Sequence, residues 1–220
     1  MTIGVIRFPG SCDEVDAVLA ARRVGDAELL WHGDRDLHGV DAVIVPGGFS
    51  YGDYLRAGAI ARFSPIMESV AAFAAEGGPV FGICNGFQVL CEAGLLPGVL
   101  MRNASLKFVS RSVTMTVEGA NTMFTARYTP GQKIKIPVAH GDGNYFADKA
   151  TLDRIEGEGQ VAFRYVEGDN PNGAARNIAG IFNERRTILG MMPHPERVSE
   201  PLHGGTDGKA IFDSLVSALS

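Results

Sequence analysis

The chain has 220 residues, 45% of them hydrophobic and 20% charged, the balance of a folded globular protein rather than a disordered one. Its formal net charge of −5 offers no overall attraction for nucleic acid or an anionic membrane, and no apolar stretch approaches spanning length. The cysteines Cys12, Cys84 and Cys91 are odd in number and form no CxxC pair, which points to free thiols in a reducing, cytoplasmic setting and away from a disulfide framework or a zinc site.

The run Thr2–Phe8 stops at Pro9-Gly10 and reads as a first strand, not a signal peptide. Ser11 and Glu14 are spaced as a capping box, and Val15, Val18 and Leu19 give the helix that follows an apolar stripe. Strands are expected at Ala27–Trp31, Ala42–Val45 and Val80–Ile83. A helix capped by Ser64 with Pro65 in its first turn buries Ile66, Met67, Val70, Phe73 and Ala74. Short apolar strands alternating with helices predict a parallel sheet covered on both faces.

The second half changes character. Phe108–Val117 and Val161–Val166 partly alternate apolar with polar residues, and Ile178–Phe182 and Thr187–Met191 flank a hairpin turn at Asn183–Arg186. These predict antiparallel strands added to the parallel core. A last helix from about Thr206-Asp207 buries Ile211, Phe212, Leu215, Val216 and Leu219. With no repeat, linker or low-complexity tract, one α/β domain spanning 1–220 is the economical reading.

Gly82-Ile83-Cys84-Asn85-Gly86 stands between the buried strand and a helix, the context in which a nucleophile is held on a sharp elbow. The helix start favours the thiolate. A nucleophilic cysteine needs a base, and the base an orienting group. Met192-Pro193-His194-Pro195-Glu196 supplies both. In an extended segment His194 and Glu196 point to one side, so the carboxylate fixes the imidazole while its other nitrogen faces Cys84.

Pro46-Gly47-Gly48 follows the strand Ala42–Val45, at the strand end where open parallel sheets place ligands. Gly47 and Gly48 let backbone N–H groups approach a substrate, and the N–H groups of Gly48 and Asn85 form a candidate oxyanion hole. His140, in a small polar loop, is a candidate for contact with a ligand or partner. Cys12 and Cys91 are expected to be buried small hydrophobes, His32 and His38 surface loop residues, and Arg102, Lys107 and Arg111 a solvated basic face. There is no GxxxxGK[ST] and no GxGxxG after a strand, so no nucleotide-binding fingerprint.

Pro46-Gly47-Gly48, Gly82-Ile83-Cys84-Asn85-Gly86-Phe87-Gln88 and His194-Pro195-Glu196 together resemble the class I (triad) glutamine amidotransferases. Phe8–Asp13, Gly48–Arg56, Pro137–Tyr145 and Gly190–Arg197 are similar, within that class, to the glutaminase subunits of phosphoribosylformylglycinamidine synthases, with Phe182 where a smaller residue is usual.

The resemblance implies a flavodoxin-like three-layer α/β/α fold with a mainly parallel sheet. It implies hydrolysis of L-glutamine through a Cys84 thioester, with Gln88 contacting the amino-acid part of glutamine. It also implies delivery of ammonia to a large synthetase subunit that uses ATP and magnesium in purine biosynthesis, a small third subunit, and no cofactor or metal in this chain. The glutaminase of another synthase, a stand-alone cysteine hydrolase or peptidase of similar fold, and a subunit that keeps the fold without turnover are the alternatives.

Overall fold

The computed structural model describes residues 1–219. In chain order its elements are β1 (Thr2–Arg7), α1 (Glu14–Arg22), β2 (Asp26–Trp31), β3 (Ala42–Val45), α2 (Pro65–Ala75), β4 (Val80–Ile83), α3 (Asn85–Glu92), β5 (Val99–Met101), β6 (Val109–Val117), β7 (Lys133–His140), β8 (Asn144–Phe146), α4 (Lys149–Gly157), β9 (Val161–Tyr165), β10 (Ile178–Phe182), β11 (Ile188–Met191) and α5 (Lys209–Leu219).

One nine-stranded sheet runs β2-β1-β3-β4-β11-β10-β9-β6-β7, and β5 and β8 form a separate antiparallel pair. Every pairing from β2 to β11 is parallel. Every pairing from β11 to β7 is antiparallel. The fold is thus the α/β arrangement expected, a parallel core with an antiparallel extension. β3, β4, β10 and β11 are buried along their whole length, so they read as continuous apolar runs rather than alternating ones.

α1 packs on β1 and β2 and touches α5, while α3 lies over β3, β4 and β11. Gly86 makes that last packing feasible: a Cβ there would fall 1.8 Å from the Val45 carbonyl oxygen. Phe182 fills the core by stacking on Phe124, ring centroids 6.3 Å apart, which absorbs its extra bulk. No described helix is long and apolar enough to cross a membrane.

The expected start of α1 is corrected. Asp13, not Ser11, occupies the cap position and makes no side-chain capping bond, whereas Ser11 Oγ accepts from the Phe8 N–H at 3.2 Å. The buried residues of α1 are Glu14, Ala17, Val18, Ala20 and Ala21, and Val15 and Leu19 are exposed. Ser64 precedes α2 as expected, but its hydroxyl bonds Tyr51 at 2.8 Å instead of capping. Phe73, Val216 and Leu219 are only partly buried.

Candidate active site

In the order β2-β1-β3-β4 the chain reverses between β1 and β3, and the loops leaving their carboxyl ends diverge to open a crevice. Four segments meet there: 8–13 after β1, 46–56 after β3, the elbow after β4 and 192–198 after β11.

Cys84 has φ 50° and ψ −104°, a backbone conformation that costs on the order of 1–3 kcal/mol for a non-glycine residue. Its N–H donates to the Met191 carbonyl at 2.8 Å, and its carbonyl accepts from the Gln88 N–H at 3.2 Å, so strand and helix clamp the elbow from both sides. The thiol is buried and faces the Ala139 carbonyl at 3.8 Å.

His194 is fixed to β7 through its N–H, which donates to the Pro137 carbonyl at 2.8 Å. Its Nδ1 lies 2.7 Å from Glu196 Oε1, and both side chains are about 1% exposed. The expected pairing is present, but its cause is different: Pro195–Val198 forms a 3-10 turn, and the carboxylate folds back under the ring instead of lying beside it on an extended strand. Burial works against the imidazolium, yet the Glu196 carboxylate and then Cys84 outweigh it and hold His194 well above the ordinary histidine range. His194 Nε2 is buried and has no hydrogen-bond partner among the described residues, so it is able to exchange a proton with a neighbouring group.

Gly48 has φ 129°, and a Cβ there would meet the Cys12 nitrogen at 2.7 Å and the Ser11 Cα at 2.9 Å. Asn85 ties this loop to the elbow. Its Oδ1 accepts from the Ser50 N–H at 3.1 Å, and its Nδ2 donates to Gln88 Oε1 at 2.8 Å and Asp53 Oδ1 at 3.3 Å. Gln88 Nε2 donates onward to the Asp142 carbonyl at 2.5 Å. Gly48, Cys84, Gln88 and His140 line one cavity of about 230 Å³, with Arg102 and Lys107 also on its wall. That volume is below the usual range for drug-sized ligands and suits a small metabolite. Gly47 instead faces Asp13 and His194.

His140 is a buried buttress as well as a wall. Its Nδ1 meets Asn103 Oδ1 at 3.1 Å and its Nε2 meets Asn172 Nδ2 at 3.4 Å. Burial, and then the charge of His194, push it down to about 4, so it is neutral near pH 7. Asp53, by contrast, is pushed up to about 6 by burial and then by Asp142.

Some side chains depart from expectation. Cys12 is exposed, and partial burial followed by the Asp13 charge pushes its thiol up to about 11, so it is neither core nor reactive. Cys91 is half-buried and burial drives its thiol upward, in keeping with an inert role. His32 is half-buried and bonded to the Tyr51 hydroxyl at 2.8 Å, while His38 is exposed as expected. Arg102 and Lys107 reach the cavity rather than forming a plain solvated face, and Arg111 pairs with Asp169.

Asp13 and Arg197 were not identified from sequence. Asp13 Oδ2 lies 3.6 Å from His194 Nδ1, and Arg197 donates to Asp13 Oδ1. The only sequence signal is their nearness to glycine-rich and His-Pro-Glu motifs. Ligand atoms of Asp13, His194 and Glu196 lie within 4.8 Å of one another, the one grouping among the described residues with metal-ligand chemistry. The Arg197 guanidinium already supplies the positive charge at those two carboxylates, so the set does not fit a resident cation.

The family model of the CobB/CobQ-like glutamine amidotransferase domain matches residues 1–207. The chain is 60% identical to phosphoribosylformylglycinamidine synthase subunit PurQ of Novosphingobium aromaticivorans, covering 99% of this chain and 97% of that protein. It is 57% identical to the subunit of the same name from Rubrobacter xylanophilus, covering 99% and 98%. A chain in the solved structure of PurLQS from Thermotoga maritima superposes with a TM-score of 0.91 at 41% identity, covering 100% of this chain and 99% of that one. Matched in sequence over nearly its whole length and carrying a buried Cys-His-Glu constellation on a strand-to-helix elbow, the chain belongs to the CobB/CobQ-like glutamine amidotransferase family.

Proposed function

We propose that the chain is the glutaminase subunit of a phosphoribosylformylglycinamidine synthase, hydrolysing L-glutamine at Cys84 and passing ammonia to an ATP- and magnesium-dependent synthetase subunit, with a small third subunit completing the complex. The single observation that carries the chemistry is the buried pairing of His194 with Glu196 next to Cys84 on its strained elbow. High identity to PurQ subunits over the full length supports the choice of synthase. The unbroken sheet from β2 to β7 supports reading residues 1–220 as one domain.

In this reading the proton of the Cys84 thiol passes to His194 as the sulfur attacks the carboxamide carbon of glutamine. The oxyanion that develops is held by the N–H groups of Gly48 and Asn85. Neither N–H has a partner among the described residues, so both are free to serve. His194 gives its proton to the amide nitrogen, the C–N bond breaks and ammonia leaves, giving a glutamyl thioester. Water then loses a proton to His194 and attacks the thioester, and glutamate departs as the proton returns from His194 to the sulfur. Glu196 holds the ring throughout. Gln88 and the cavity wall at Gly48 seat the amino-acid part of the substrate, and Gly47 gives His194 room to lie close to the loop.

The test is Cys84→Ala in the assembled synthase. Loss of glutamine-dependent synthesis with ammonia-dependent synthesis intact is expected. Retained glutamine hydrolysis would overturn the assignment of the nucleophile, and loss of both activities in an intact complex would overturn the division of labour.

A further inference from the structure

Asp13 is 4% exposed, in the turn between β1 and α1. Its two oxygens have different partners: Oδ2 is 3.6 Å from His194 Nδ1, while Oδ1 accepts from Arg197 and faces the Cys12 thiol at 3.6 Å. Arg197 belongs to the same 3-10 turn as Glu196, and its Nε lies 3.9 Å from Glu196 Oε1, the oxygen that holds His194. A Cβ at Gly47 would fall 2.3 Å from Asp13 Oδ2 and 2.9 Å from His194 Cε1. Carboxylate and imidazole are therefore both seated against the Gly47 backbone, one residue from the Gly48 N–H.

We propose that Asp13 is a positioning residue of the glutaminase reaction: it holds Arg197 off Glu196, and with the Gly47 backbone it keeps the His194 ring aligned between Glu196 and Cys84. Arg197, its side chain 36% exposed, pairs with Asp13, and Glu196 is left to the imidazole. Without Asp13 the nearest carboxylate is Glu196, and guanidinium and imidazole compete for one oxygen. The groups facing His194 are Glu196 and Arg197 from its own turn, Asp13 from the β1 loop, Cys84 from the elbow and His140 from the end of β7. Of these, Asp13 and Glu196 are the carboxylates that stabilise the imidazolium. Losing one, with Arg197 freed, must weaken that state.

The inference rests on the Cys84–His194–Glu196 reading, and its test separates the two. His194 is titrated by NMR of ¹⁵N-imidazole-labelled protein, and the alkaline limb of kcat/KM for glutamine hydrolysis is measured in the assembled synthase. Asp13→Asn is expected to lower both by about one pH unit, with KM for glutamine changed less than about two-fold. Asp13→Asn combined with Arg197→Met is expected to move the limb back upward, because the freed cation is gone. A limb unmoved in Asp13→Asn, or moved and not recovered in the double variant, overturns the proposal. If Asp13→Asn does not fold, Arg197→Met alone reads the same network with opposite sign: the limb rises, and an unmoved limb overturns the role. The NMR titration needs no turnover, so a parent protein that failed to hydrolyse glutamine would count against the triad while the titration still decided the part played by Asp13.

Discussion

His194 Nδ1 and Glu196 Oε1 are 2.7 Å apart although only one residue, a proline, separates them in the chain. Pro195 opens a 3-10 turn, and the turn folds the carboxylate back onto the ring. Because both groups are almost wholly buried, the pair acts with little screening from water. Glu196→Gln keeps the shape and removes the charge. We expect kcat for glutamine hydrolysis to fall about 10⁴-fold, as when another triad loses its orienting carboxylate. KM is expected to hold, and steady-state kinetics across glutamine concentrations check it.

Gly48→Ala would place a methyl group against the Cys12 nitrogen and Ser11 Cα, backbone atoms that cannot rotate away, at a φ hostile to alanine. The loop must shift and carry its N–H out of line. A loss of about 10²–10³ in kcat is expected, with Cys84 still alkylated by iodoacetamide at close to the parent rate. Loss of alkylation as well would mean that the loop shapes the elbow and does not merely supply a donor.

His140 has its pKa depressed to about 4 by burial and the charge of His194. The unfolded chain binds a proton near pH 6.5, where the folded one does not. Stability tied to His140 is therefore present above pH 6.5 and is lost as pH falls toward 4. Replacing it with asparagine should flatten the fall in Tm across that window, at the cost of a lower Tm at pH 7 from the lost bonds to Asn103 and Asn172. Differential scanning calorimetry over pH 4–7.5 checks both.

Asp53 works with the opposite sign. Burial and the neighbouring Asp142 raise it to about 6, so the folded state keeps a proton that the unfolded state has lost. Its contribution falls as pH rises from about 4 to 6. Asp53→Asn should leave Tm unchanged at pH 4 and raise it by about 2–4 °C at pH 7.5. A Tm unchanged at both pH values would mean that the carboxylate is better solvated than its setting between Asn85 and Asp142 implies.

Most of the parallel core was legible because its strands are short apolar runs bounded by turn signals: β3 and β4 occupy the residues expected, as does β10 in the antiparallel extension. Cys84, His194 and Glu196 stood out as candidates because glycines lie two residues to either side of Cys84 and prolines adjoin His194 and Glu196. β7 was not recognised, although Ile134, Ile136 and Val138 alternate with Lys133, Lys135 and Pro137. Pro137 argues against an interior strand, and the sheet order resolves the conflict by placing β7 at the edge, where a missing donor is tolerated. α4 went unseen because Ile155 is its only buried residue. Asp13 and Arg197 were missed for a deeper reason: they are 184 positions apart, and nothing local in either segment tells of the other.

The pairing of β4 with β11 carries a consequence for how the protein comes into being. The strand that leads into the nucleophile finds this neighbour about 100 residues later, inserted into the middle of the sheet. A nascent chain on the ribosome therefore carries Cys84 before β11, His194 and Glu196 have emerged. On the proposed mechanism, a product truncated before His194 would carry the Cys84 segment without the imidazole and carboxylate that serve it.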